Sequence, residues 1–154
     1  MRFMIFTQPD DAHAVMVQLA LIESGHQVRL FFTADQPSLL SHSIWMDASQ
    51  TGWRSSDIKT LLKLNAYDVI WYRRVHLPLI KKEDSHPDDY QFVARENRLF
   101  FEGLTTWLSH QAWWVNPALA ARQANSKLLQ LFLARSCGLK IPKTLCSNTP
   151  QDIH

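Results

Sequence analysis

The chain of 154 residues contains few glycines, and the four that occur are Gly25, Gly52, Gly103 and Gly138. No two of them have the spacing of the G-x-G-x-x-G dinucleotide loop or the G-x-x-x-x-G-K-[ST] phosphate loop. Both loops need closely spaced glycines, because the backbone itself approaches the phosphates. The sequence therefore excludes these two loops, and any nucleotide would have to be held by other means.

Cysteine is also scarce, with only Cys137 and Cys146. There is no Cys-x-x-Cys pair, and the histidines form no His-Glu-x-x-His motif, so local spacing predicts no metal site. The G-x-S-x-G nucleophile motif is absent as well, and we predict no catalytic residue. We expect the two cysteines to be free thiols, as is usual inside cells.

Long apolar runs are missing too, since none approaches the ~20 residues of a membrane-spanning helix. The apolar start Met1–Phe6 runs at once into the polar segment Thr7–Asp11, which is not the pattern of a signal peptide. We therefore expect a cytoplasmic protein. A strong excess of positive charge is also lacking, because 16 basic and 14 acidic side chains leave a net charge of +2. This balance argues against nucleic-acid binding.

The remaining composition is that of a globular protein, with 46% hydrophobic and 19% charged residues, in a length that suits one domain plus a short appendage. The first third predicts strand, helix and strand: Phe3–Phe6 is a buried strand, Gly25 ends an apolar helix, and Val28–Phe32 is a second strand. We predict an α/β fold, with a doubly wound, mainly parallel open sheet, helices on both faces and a Rossmann-like arrangement.

Later segments extend this pattern. Position 90 to about 109 carries one apolar stripe interrupted only by Asn97, which predicts a helix long enough to cross a sheet. The other predicted elements are a hairpin of Ser43–Asp47 with Gly52–Arg54, a short helix over 57–64, strands at Val69–Tyr72, Trp113–Val115 and Thr144–Cys146, and a helix over 124–136.

Two arginines, Arg73 and Arg74, directly follow the predicted strand Val69–Tyr72. Open α/β sheets bind ligands at the carboxyl ends of their strands, and strand alternation sends the two side chains to opposite faces. One of them could therefore grip a carboxylate or phosphate in the crevice. The alternative is that the pair is solvated, or that one arginine binds a nearby carboxylate.

The second half of the chain carries a family resemblance. It rests on Val115-Asn116-Pro117, on Lys127 near a helix start, on the run Gly138-Leu139-Lys140-Ile141-Pro142-Lys143-Thr144, and on Trp71-Tyr72-Arg73-Arg74. These segments resemble the junction between the N-terminal domain and the ATP-grasp domain of ATP-grasp ligases. The particular set is similar to the peptide-maturing branch, the microviridin-type or graspetide ligases.

The resemblance implies a division of the chain into a pre-ATP-grasp domain, residues 1–117, and residues 118–154, a linker helix with the first strand of a truncated ATP-grasp domain. The full-length parent would use ATP and Mg²⁺ to activate a carboxylate for attack by an amine or hydroxyl. Arg73 or Arg74 would bind the acidic group of the substrate, and Lys127 would lie near the nucleotide phosphates, although an exposed lysine on an amphipathic helix is the other interpretation.

The expected partners are the ATP-grasp catalytic domain, a ribosomal precursor peptide and a second copy of the chain. Because the lid and the magnesium ligands of an ATP-grasp site are missing from these 154 residues, we expect the chain to be inactive alone and to bind no cofactor tightly. One alternative is a free-standing α/β binding or dimerisation module that pairs through its tryptophan-rich helix. A self-sufficient Rossmann oxidoreductase or transferase is the other, and Thr7-Gln8-Pro9-Asp10 in place of a glycine-rich turn argues against it.

Overall fold

The computed structural model describes residues 1–35, 37–49, 51–56, 62–63 and 66–152 of the chain. These residues divide into two units, Met1–Ala118 and Leu119–His154. The short helix predicted over 57–64 lies outside the described residues, except for positions 62 and 63, which are a strand. That the second unit opens an ATP-grasp domain stays a prediction.

The described residues form seven strands and four α-helices. The strands are β1 (Arg2–Thr7), β2 (Gln27–Phe32), β3 (His42–Met46), β4 (Thr51–Ser55), β5 (Leu62–Lys63), β6 (Val69–Tyr72) and β7 (Trp113–Trp114). The helices are α1 (Ala12–Glu23), α2 (Tyr90–Ser109), α3 (Ala118–Ala124) and α4 (Lys127–Ser136). Short 3₁₀ turns lie at Thr33–Asp35, Lys82–Asp84 and Pro150–Asp152.

The main sheet has four parallel strands in the order β2-β1-β6-β7. Its register places Phe6 of β1 beside Phe31 of β2 and Tyr72 of β6. β1 and β6 are 62 residues apart in sequence but adjacent in space, so their carboxyl ends meet at one edge. The predicted α/β fold with a mainly parallel sheet is confirmed.

Helix α1 follows β1 through a tight turn in which the backbone N–H of Asp11 donates to the carbonyl oxygen of Gln8 at 3.2 Å. Asp11 caps the helix, because its carboxylate accepts from the backbone N–H of Ala14. The helix ends where Gly25 takes a φ of 80°, the left-handed conformation that glycine adopts without strain. This end is where the sequence predicts it.

The hydrophobic core lies between the sheet and α2. Phe101, Leu104 and Leu108 of α2 are buried and pack on one face of the sheet, which is formed by Met4, Phe6, Phe31, Ile70 and Trp114. Trp53 of the antiparallel sheet β3-β4-β5 joins the same core. The predicted hairpin is therefore confirmed, with Ile44 opposite Trp53. Helix α1 packs on the opposite face, so both faces of the sheet carry a helix.

The second unit differs from its prediction in two ways. The helix predicted over 124–136 is present as α4, which begins at Lys127 because the hydroxyl of Ser126 accepts from the backbone N–H of Leu129. The helix α3 that precedes it was not predicted. The strand predicted at Thr144–Cys146 is wrong, since this segment has no regular structure. A strand needs a hydrogen-bonded neighbour, and the described part of the chain offers none there.

Within the described ranges, no helix is both long and apolar enough to cross a lipid bilayer. The free thiols predicted at Cys137 and Cys146 are confirmed, and both side chains are exposed.

The two phenylalanines of α2 offer a matched test of the core. Phe101 is fully buried, whereas Phe92 is 66% exposed. We expect Phe101→Ala to lower the free energy of unfolding by about 3 to 5 kcal/mol, because it leaves a cavity against Phe6. Phe92→Ala should change it by less than about 0.5 kcal/mol. Urea denaturation followed by circular dichroism measures both, and equal losses would contradict the placement of α2.

Candidate functional site

The candidate site lies at the edge where β1, β2 and β6 end. Gln8 to Asp11 follow β1, Thr33 follows β2, and Arg73 to His76 follow β6. The backbone N–H of Arg73 continues the ladder by donating to the carbonyl oxygen of Phe6 at 3.0 Å, and the hydroxyl of Thr33 donates to the carbonyl oxygen of His76. Open α/β sheets bind ligands at this edge.

Asp11 is the central side chain of this edge and is fully buried. One carboxylate oxygen, Oδ2, accepts from Nε of Arg73 and from the hydroxyl of Thr7, both at 2.9 Å. The other, Oδ1, accepts from the backbone N–H of Ala14. One side chain thus joins the end of β1, the start of α1 and the end of β6.

The electrostatics of Asp11 follow from these contacts. Burial by itself raises the pKa of a carboxyl group. Here the hydrogen bonds from Arg73, Thr7 and the N–H of Ala14, together with the positive charge of Arg73, outweigh burial and hold the pKa of Asp11 below its ordinary value. Asp11 is therefore a carboxylate at neutral pH and fixes Arg73 in place.

Arg73 is held on two sides. Its Nε binds Asp11, and its guanidinium carbon lies 5.3 Å from the centre of the Trp71 ring, a cation–π distance. Its side chain remains 29% exposed. The described residues offer no hydrogen-bond partner to Nη1 or Nη2, so these two nitrogens can still receive a carboxylate or phosphate oxygen pair.

Arg74 leaves the strand in a different direction. It has a φ of 46°, the left-handed region that non-glycine residues rarely adopt, and its side chain is exposed. The prediction that Arg73 and Arg74 point to opposite faces of the sheet required an extended backbone at both residues. The extended backbone ends at Arg73. Of the two predicted substrate-binding arginines, Arg73 is the one that contacts the buried Asp11. The sequence analysis gave such an ion pair with a nearby carboxylate as an alternative to substrate binding.

Gln8 is a residue that sequence reasoning missed. Its side chain is only 6% exposed, and within the described part of the chain its amide nitrogen Nε2 has no hydrogen-bond partner. An unpaired buried donor is costly and calls for an explanation. The available signal was its position directly after β1, where a glycine-rich turn stands in dinucleotide-binding folds.

Lys127, the predicted phosphate contact, is the first residue of α4 in the second unit. Its Nζ donates to the side-chain oxygen of Gln130 at 3.2 Å, and the pair is exposed. The position at a helix start confirms the predicted local structure. Its proximity to nucleotide phosphates stays a prediction.

A separate apolar groove of about 360 Å³ lies on the α1 face of the sheet. All of its lining residues are apolar, and they are Phe3, Ile5, Val17, Leu21, Val69, Trp71, Trp113 and Val115. Helix α1 beside it carries exposed Met16, Leu19 and Ile22. A helix that is apolar on all sides is normally buried, so this side of the first unit has the composition of an interface.

Comparison with solved structures gives several matches, whereas no protein-family model and no curated protein matches the chain. The macrocyclase MdnC of Microcystis aeruginosa MRC, solved with the precursor peptide MdnA, is 28% identical, with a TM-score of 0.80 over 99% of this chain and 49% of MdnC. The macrocyclase MdnB of the same organism is 24% identical, with a TM-score of 0.85 over 98% of this chain and 49% of MdnB.

A third match is the Chryseobacterium gregarium RiPP-associated ATP-grasp ligase, solved with ADP and a leader and core peptide. It is 24% identical, with a TM-score of 0.77 over 98% of this chain and 45% of that enzyme. This chain resembles the RiPP-associated ATP-grasp ligases. The resemblance stated from the sequence is confirmed, and the fold is that of these enzymes over nearly the whole chain. The chain spans about half their length.

The lowered pKa of Asp11 predicts a pH dependence of stability. A carboxylate with a depressed folded-state pKa stabilises the fold above its unfolded pKa of about 3.9, and this contribution is lost as the pH falls through the folded-state pKa. Asp11→Asn keeps a capping oxygen but loses the charge. We expect it to cost about 1.5 to 3 kcal/mol at pH 7, and the difference from the natural chain should shrink between pH 5 and pH 2, a window that spans about 3.9.

Urea unfolding at several pH values measures this effect, with Asp10→Asn as the control. Asp10 is exposed next to Asp11 in the same turn. Asp68, whose pKa is also lowered by the backbone N–H and side chain of Arg2, is present in both variants and cancels. A stability difference for Asp11→Asn that does not change with pH would contradict the ion pair.

Proposed function

We propose that this chain is the N-terminal domain of an ATP-grasp ligase that joins a carboxylate to an amine or hydroxyl of a peptide. In this proposal the domain helps to frame the cleft for substrate and ATP. The observation that carries it is the match to MdnC, which covers 99% of this chain at 28% identity. Solved matches that hold a precursor peptide, or ADP with a leader and core peptide, support a peptide substrate.

The chemistry of such a ligase would begin with transfer of the γ-phosphate of ATP to a carboxylate, which gives an acyl phosphate and ADP. An amine or hydroxyl would then attack the acyl carbon and release phosphate. Magnesium prefers oxygen ligands, chiefly carboxylates. The described residues contain no group of three or more His, Cys, Asp or Glu side chains that could hold a metal ion. The residues present therefore do not fit a magnesium site, and we assign the magnesium ligands to the catalytic domain of the longer protein.

Within this proposal Arg73 binds the acidic group of the substrate. Asp11 and Trp71 fix the guanidinium, so that little side-chain freedom is lost when Nη1 and Nη2 receive a carboxylate. Two hydrogen bonds from a fixed arginine bind a carboxylate more strongly and more specifically than a contact from a mobile lysine does. Arg74, exposed and outside the buried network, is a secondary contact at most in this arrangement.

Lys127 has a separate proposed role. A compact ammonium can neutralise phosphate charge as a point cation. Lys127 is exposed, and among the described residues its hydrogen-bond partner is the neutral side chain of Gln130. In the longer protein we propose that it exchanges this contact for a nucleotide phosphate.

The arginine assignment predicts a split in the kinetics of the longer protein. Arg73→Lys keeps the charge but loses both the Nε contact to Asp11 and the bidentate edge. We expect the KM for the peptide to rise about ten-fold, about 1.4 kcal/mol, with kcat changed much less. Arg74→Lys and the control Arg54→Lys, at the exposed position of β4, should stay within about two-fold, about 0.4 kcal/mol. An equal effect at Arg74 would contradict the assignment.

The proposed division of labour predicts the behaviour of the isolated chain. The purified 154-residue protein should show no magnesium-dependent ATP turnover, because the metal ligands are assigned to the absent catalytic domain. The longer protein should hydrolyse ATP when its precursor peptide is added. Phosphate release measures both, and clear turnover by the 154-residue chain would show that the domain is catalytic by itself.

A second candidate function is a dimerisation module, favoured by the apolar α1 and the groove beside it. The tryptophan-bearing helix α2 suits this role less well, because Trp107 packs against the core. In this case the 154-residue chain would be a dimer by light scattering, and Met16→Glu would make it monomeric. Met46→Glu, at a site of similar exposure on β3, would leave it unchanged. A monomer at all concentrations would remove this candidate.

A further inference from the structure

A second concave surface, here called the α2 groove, lies between one flank of α2 and the segment Leu77–Leu79. It encloses about 610 Å³. On the helix side it is lined by residues 91, 94, 95, 98, 99 and 102, a spacing of three and four that places them along one flank. This flank lies beside the buried stripe that contains Phe101 and Leu104.

The length of the groove follows from its helix. Gln91 and Glu102 are eleven residues apart, which at about 1.5 Å per residue corresponds to roughly 16 Å. An extended peptide rises about 3.3 Å per residue, so the groove accommodates about five residues. Ala94 lies within this stretch, and its single methyl group keeps the helix wall low where a larger side chain would fill the space.

Three leucines in the walls of the groove are exposed. Leu77 is 48%, Leu79 is 64% and Leu99 is 46% exposed. Three leucines facing one concave surface are costly in water and are typical of a surface that another polypeptide covers.

The charged side chains of the groove differ in whether they have a partner of opposite charge. Nε of Arg98 binds Oε1 of Glu102 at 3.1 Å, so these two charges compensate each other. Arg95, one turn earlier and exposed, has no carboxylate within ion-pair distance among the described residues. The groove therefore presents exposed leucines and one positive charge that no described carboxylate compensates.

We infer that the α2 groove binds an extended peptide segment of a partner, with an acidic side chain flanked by apolar ones. The acidic side chain pairs with Arg95, and the flanking apolar side chains contact Leu77, Leu79 and Leu99. The complementarity of charge and the five-residue length select this occupant. The inference does not depend on ligase activity or on Arg73.

A fluorescence anisotropy titration of the 154-residue chain tests this site. The probe is a labelled pentapeptide Leu-Glu-Leu-Glu-Leu with blocked ends, and its matched control is Leu-Gln-Leu-Gln-Leu, which has nearly the same shape without charge. We expect the glutamate peptide to bind about ten-fold more tightly. Arg95→Glu should remove this preference, whereas Arg54→Glu, the same charge change on β4, should preserve it.

Ala94→Leu tests the shape of the site separately from its charge. It should weaken both peptides about ten-fold or more, because the added carbons occupy the groove, and circular dichroism verifies that the variant is folded. Equal affinity for the two peptides, equal losses in Arg95→Glu and Arg54→Glu, or no binding of either peptide would overturn the inference. So would a dimer that Ala94→Leu dissociates, since a second copy would then be the occupant.

Discussion

The ion pair of Asp11 with Arg73 is the interaction on which the arrangement of the sheet edge depends. A fully buried carboxylate is tolerable only when its charge is compensated and its oxygens are hydrogen-bonded. Arg73, Thr7 and the N–H of Ala14 supply both conditions. Because these groups come from β6, β1 and α1, one carboxylate fixes the relative positions of three elements. The same contact holds Arg73 against Trp71, and within the described part of the chain its two terminal nitrogens have no hydrogen-bond partner.

The site has the plan of an open α/β sheet without the glycine-rich loop that usually accompanies it. The turn from β1 to α1 carries the buried Gln8 and the capping Asp11, so the start of this helix is occupied by the protein's own carboxylate. Negative charge at a helix N-terminus is favourable, and here Asp11 provides it. A substrate at this edge would therefore meet the terminal nitrogens of Arg73, whose side chain is partly exposed. This arrangement suits recognition of an acidic group.

Local patterns predicted much of the fold. The stripe of α2, the glycine at the end of α1, the hairpin of β3 and β4 and the position of Arg73 at a strand end all follow from nearby residues. The partner of Arg73 could not be predicted, because Asp11 lies 62 residues away and the contact exists only once β1 and β6 are adjacent. Local sequence shows only that Asp10 or Asp11 can cap the helix that follows β1. The strand expected at Thr144–Cys146 failed for a related reason, since a strand depends on a neighbour that local sequence does not specify.

A double-mutant cycle tests the central claim that Asp11 and Arg73 act as one unit. Asp11→Ala, Arg73→Ala and the double variant are compared by urea unfolding at pH 7, so that the loss of the helix cap cancels within the cycle. We predict a coupling free energy of about 2 kcal/mol, as expected for a charge-assisted hydrogen bond with a buried partner. A coupling below about 0.3 kcal/mol would mean that the two losses simply add, and would contradict the account.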